Sequence, residues 1–103
     1  SQDRVTRASR SLGRRVKDLN QQIAALTRQK QALNVWLVSP GNKSLDAVKV
    51  ARFRIKLLGE AIKTRQRDVP IVQSQCVALG KAADFVKKLH RNVEIQFNVQ
   101  VVP

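Results

Sequence analysis

The sequence predicts a mainly α-helical fold: a long N-terminal helix and two shorter helices in a helical-hairpin or three-helix arrangement, with a C-terminal β-strand that pairs between chains. Three observations predict it. A seven-residue apolar repeat fills the first third of the chain, a three/four apolar spacing recurs through its middle, and the period changes to two from Asn92 onward.

The repeat sets the first element. Val5, Leu12, Leu19, Leu26 and Leu33 recur every seven residues, and Ser9, Val16, Ile23, Lys30 and Leu37 each follow four residues later. This is a coiled-coil seam on a helix of about nine turns, residues 4–37. Leucines at d with Val16 and Ile23 at a favour two parallel strands, while Ser9 and Lys30 are polar a residues that lower stability and set register. Leu12, Val16, Leu19, Ile23, Leu26 and Leu33 are thus the expected oligomer interface. An intramolecular hairpin competes with that reading, because the flanking positions, Asn20, Gln22, Thr27 and Gln29 among them, lack the charge pairs that select a partner chain. Gly13 costs the helix up to about 1 kcal/mol relative to alanine. The β-prone Val35 to Val38 run is assigned to the helix end, where Trp36 is expected to close a core. Ser39-Pro40-Gly41-Asn42 marks a turn.

Ser44 can cap a second helix, 44–67. Its apolar residues form an arc too wide for one neighbour: Val48, Ala51, Ile55, Leu58 and Ile62 on one face, with Val50, Phe53, Leu57 and Ala61 beside them. The helix is therefore expected to pack on both sides, with Arg54 and Arg65 snorkelling or paired at the arc's edge. Asp68 before Val69-Pro70 reads as a restart, the proline in the first turn of a third helix, 69–90. Val72, Cys76, Leu79, Ala83 and Val86 share its inner face. Cys76 is then a small buried hydrophobe, and His90 complements the macrodipole at the helix C-terminus.

From Asn92 the alternation is strict. Val93, Ile95, Phe97, Val99 and Val101 point one way, which predicts a strand over 93–102. A lone strand leaves unpaired edges, so the pairing is expected between chains, with a second copy or with a partner protein, and these five residues join the oligomer interface.

Charge points to function. The 103 residues carry 20 Lys and Arg against 7 Asp and Glu, a formal charge of +13. Such self-repulsion calls for an anionic partner, most commonly nucleic acid, DNA or RNA. Residues 1–17 hold six basic residues and one acidic, and residues 43–68 hold eight and three. On the first helix Arg7, Arg10, Arg14 and Lys17 form a stripe opposite the seam. On the second, Lys49, Arg52, Lys56, Lys63 and Arg67 fill the non-apolar sector. Ordinary solvated faces mix signs to gain i,i+4 pairs, but these stripes contain few acids. Guanidinium groups suit phosphate because they donate two parallel hydrogen bonds. With Phe53, Phe85 and Phe97 assigned to packing faces, the expected mode is sequence-independent backbone recognition.

Catalysis is not expected. There is one histidine and one cysteine, the carboxylates are scattered, and no glycine-rich phosphate loop or metal-ligand cluster appears, so no cofactor or metal is implied. No unbroken apolar run exceeds four residues, the length of Val35 to Val38, far short of the about 20 that span a bilayer. Lack of a secretory h-region and a lone cysteine point to an intracellular setting, cytoplasm or nucleoid. The chain thus reads as one basic helical domain of an architectural, packaging or accessory protein that binds nucleic acid. The alternative is a structural subunit of a large assembly such as a virion or multiprotein machine.

Overall fold

The computed structural model describes the backbone of residues 2–101 and the side chains of residues 3–92. Its elements are two helices, α1 (Gln2–Val38) and α2 (Leu45–Val101). The chain divides into two compact units, Ser1–Arg15 with Val72–Pro103, and Val16–Ile71. The cuts fall two residues after Gly13 on α1 and one residue after Pro70 on α2.

Val16–Ile71 is a helical hairpin. Its turn is built from the signals read in the sequence. Ser39 ends α1 by donating both its backbone N–H (3.3 Å) and its Oγ (2.7 Å) to the Trp36 carbonyl. Pro40 cannot continue the helix, and Gly41 takes a φ of 118°, open to glycine and strained for other residues. Lys43 Nζ reaches back to the Ser39 carbonyl, satisfying another acceptor at the helix end. Ser44 then caps α2: its Oγ accepts from the Ala47 N–H at 3.1 Å and its carbonyl from the Val48 N–H at 3.1 Å. Asp46 adds a favourable charge in the first turn.

The heptad seam is covered inside the chain. Every a and d residue of α1 from Val5 to Leu37 is buried or half-buried, including Ser9 and Lys30. Leu19 is 6% exposed, and Ala51 and Ile62 of α2 are 4% and 9% exposed. The burial of Val16, Leu19, Ile23, Leu26 and Leu33 is reached within the hairpin, as the intramolecular reading expects, and Leu12 is half-buried in the other unit. Lys30 fits in the seam because its Nζ passes over Gly59, 3.5 Å from where a Cβ would stand. In the other unit the polar a residue Ser9 meets Cys76, Oγ to Sγ 3.6 Å, and Cys76 lies half-buried rather than fully enclosed.

Three expectations are corrected. Among the described residues there is no third helix: α2 runs through Pro70. A proline there costs about 3 kcal/mol, because it removes one N–H donor and crowds the carbonyl four residues back. That carbonyl belongs to Gln66, and both Gln66 and Pro70 are exposed, so water can take the donor's place. What outweighs the cost is phase. Val48, Ala51, Ile55, Leu58, Ile62, Arg65, Val69, Val72, Cys76, Leu79 and Ala83 keep a three/four spacing straight across the proline, and all are buried or half-buried.

The expected strand is also helix, since α2 continues to Val101; residue 102 and the side chains of Val93, Ile95, Phe97, Val99 and Val101 lie outside the described residues. No glycine or proline interrupts 81–101. A strand in a single chain would leave both edges unpaired, whereas continuing the helix supplies each N–H with a carbonyl four residues back at no nucleation cost. The inter-chain pairing of this segment is thereby overturned. His90 consequently sits inside a helix rather than at its C-terminus.

Thirdly, α2 is packed on one side only. Val50, Phe53 and Leu57 are 53%, 60% and 47% exposed. Towards the C-terminus, Phe85, Val86 and Leu89 are exposed as well. With Ser9 opposite Cys76, an antiparallel pairing brings the start of α1 level with about Ala83, so nothing from α1 remains to cover them.

The glycines give opposite expectations. At Gly80 a Cβ meets nothing within 4 Å, so Gly80→Ala should raise stability by up to about 1 kcal/mol through helix propensity. Gly41→Ala should lower it by about 1 kcal/mol or more, since alanine resists positive φ. Urea unfolding of both variants, followed by helical circular dichroism, checks the signs.

Candidate nucleic-acid interface

All nine predicted phosphate-binding residues are exposed: Arg7, Arg10, Arg14, Lys17, Lys49, Arg52, Lys56, Lys63 and Arg67. The reason is geometric. Each helix buries the stripe that faces its partner, and these residues occupy positions away from that stripe. None of the nine has a hydrogen-bond or ion-pair partner among the described residues, so their charge is not spent within the chain.

The two stripes differ in how they are held. Arg7, Arg10 and Arg14 belong to the unit containing Ser1–Arg15, while Lys17 and the five cations of α2 belong to Val16–Ile71. The α2 stripe thus lies wholly within one unit. Lys49 to Arg67 covers roughly 27 Å of rigid helix. Lys49, Arg52 and Lys56 follow one another at spacings of three and four; Lys63 and Arg67 continue the same face. Glu60 is the one acid between Lys49 and Arg67, and it makes no ion pair with the ridge.

Arg65, on the same helix, shows what a committed cation looks like. Its Nε donates to Gln22 Oε1 at 2.7 Å and its NH1 to the Ala61 carbonyl at 3.1 Å. That ties α2 to α1 and removes Arg65 from the anion-binding set. Arg54, expected to be snorkelling or paired, has no partner among the described residues.

The aromatics are placed differently from the sequence expectation. Trp36 does not close a core: it is 37% exposed, with Lys43 Nζ 5.5 Å above its ring centroid. Phe53 and Phe85 face outward, at 60% and 62% exposure, and the side chain of Phe97 lies outside the described residues. Phe53 is the residue that sequence reasoning missed. It stands four residues after Lys49 and three before Lys56, so an exposed ring sits among cations of one helix face. Its interleaving with lysines is visible in the sequence, but its apolar character assigns it to packing.

Among the described residues no group of three or more His, Cys, Asp or Glu side chains could hold a metal ion. No helix among the described residues is long and apolar enough to cross a membrane. No family model, curated protein or solved structure matches the chain. The functional reading accordingly rests on the chemistry of its own surfaces.

Exposure and lack of partners make a direct prediction about stability. Charge reversal at Lys56 and Lys63 should leave unfolding free energy within about 0.5 kcal/mol per site, as for other exposed substitutions without partners. Any change should be stabilising at low salt, because the net charge falls. Thermal unfolding at about 20 and 200 mM salt measures both the size and the sign.

Proposed function

We propose that this chain is a non-enzymatic protein that binds nucleic acid through its phosphates, largely independent of sequence, in an architectural, packaging or accessory role. The observation that carries the proposal is the ridge Lys49, Arg52, Lys56, Lys63 and Arg67: five exposed cations, unpaired within the described chain, on one face of a continuous helix. A rigid helix holds the charges at fixed spacing, so little order is lost when phosphates are engaged. Lys17 in the same unit and Arg7, Arg10 and Arg14 in the other add to the same electrostatic attraction.

The test is salt dependence. If six of these residues each neutralise a phosphate, affinity for a mixed-sequence duplex should fall on the order of 10³-fold between about 50 and 200 mM salt. Replacing Lys49, Lys56 and Lys63 with glutamine should flatten the slope of log affinity against log salt by about 0.9 for each phosphate no longer neutralised. Gel retardation or fluorescence anisotropy measures it, and a flat salt response refutes the proposal. Phe53 adds a second comparison. Phe53→Ala should weaken binding to single strands by about 1–3 kcal/mol if the ring stacks on a base, and leave duplex affinity nearly unchanged.

A second reading, a structural subunit of a large assembly, is favoured by the exposed Val50, Phe53 and Leu57 on a helix that buries Ala51 and Ile62 on its other side. It predicts a chain that is polydisperse alone by light scattering and becomes ordered beside its neighbour.

A further inference from the structure

The hairpin Val16–Ile71 has a continuous groove between its two helices on the side away from the basic ridge. Its two lobes have volumes of about 600 and 430 Å³, and Leu33 of α1 contributes to the floor of both. Leu57 and Ala61 wall the first lobe; Trp36 and Val50 wall the second. The α2 side of the groove is a second seam. Ala47, Val50, Arg54, Leu57 and Ala61 follow at spacings of three and four, one position before the residues that pack on α1. Such a row is what a further helix packs against, and from Ala47 to Ala61 it accommodates about four turns.

One residue breaks the apolar row. Arg54 lines both lobes and Asp46 lines the second, yet the two form no ion pair, and Arg54 has no hydrogen-bond or ion-pair partner among the described residues. Covering it with an apolar surface would strand a charge, which is costly unless a carboxylate comes with the cover. A second copy of this chain is a poor source of that carboxylate, since its own groove offers Asp46 alone. The hairpin carries 11 basic residues against 4 acidic ones between Val16 and Ile71, so a twofold pairing would bring like charges together.

We infer that this groove is a docking site for an amphipathic, acidic helix of a different protein. Its apolar face would carry residues at i, i+3 or i+4 and i+7 that enter the two lobes, and a Glu or Asp would pair with Arg54. The site is independent of the phosphate-binding ridge, so both partners can be held at once.

Trp36 makes the inference measurable, because it is the sole tryptophan, the chain has no tyrosine, and it lines the groove. The full chain is titrated with a synthetic helical peptide of about 16 residues, about four turns, with leucines on one face and glutamates flanking them. The control is a scrambled peptide of the same composition. The expected result is a saturable blue shift of Trp36 emission, with the scramble binding at least about tenfold more weakly. Leu57→Asp should abolish the shift, and Arg54→Gln should weaken binding about tenfold, while both keep wild-type helicity. Equal binding of the scramble, or unchanged affinity of both variants, overturns the inference. So does a peptide-free protein that is dimeric by light scattering and becomes monomeric on Val50→Asp, since the occupant would then be a second copy. Duplex binding by the Arg54→Gln variant, measured alongside, stays intact if the two sites are separate.

Discussion

The rest of this structure depends on the pairing of two apolar stripes, the heptad face of α1 and the three/four-spaced face of α2. Two helices can bury only one stripe each against the other. In the hairpin that limit shows in the burial itself: Leu19, Ala51 and Ile62 fall below one-tenth exposure, and no described side chain is fully buried. Everything outside the stripe faces outward, whatever its chemistry. The exposed basic ridge and the exposed apolar row on α2 are therefore two results of the same constraint.

That constraint separates the surface by angle around one helix. Lys49, Lys56 and Lys63 lie nearly opposite the seam, while Val50, Arg54 and Leu57 lie just beside it. Phe53 falls between the two. Polar residues within the seam are handled locally, Ser9 by Cys76 and Lys30 by passing over Gly59. Arg65 is held by Gln22 and its own helix, which pins α2 against α1. Among the described residues Arg54 has no partner and is the one cation lining the groove, beside Asp46 in the second lobe.

Much of this was legible in the residues. The heptad named the buried face of α1. Ser39, Pro40 and Gly41 named the turn, and Ser44 named the cap, because capping and positive φ depend on a few neighbouring atoms. The basic stripes followed from spacing alone, since any side chain opposite a packed stripe must be exposed. Pro70 is where local rules fail, because they treat Asp68-Val69-Pro70 as a break. The longer signal, an apolar spacing that keeps phase from Val48 to Ala83, points the other way.

By itself, then, the sequence determined the helical class, the long first helix, the turn and its cap, and the outward placement of nine cations. These depend on neighbours within a turn or two of helix. The tertiary structure alone decided that the seam closes within the chain, that α2 runs uninterrupted through Pro70 to Val101, and that only one side of its apolar arc is covered. Those outcomes depend on what lies opposite each residue. A spacing of three and four specifies which face will be buried, but not which surface buries it or how much is left over, and a two-residue alternation becomes a strand only where another edge is present to receive it.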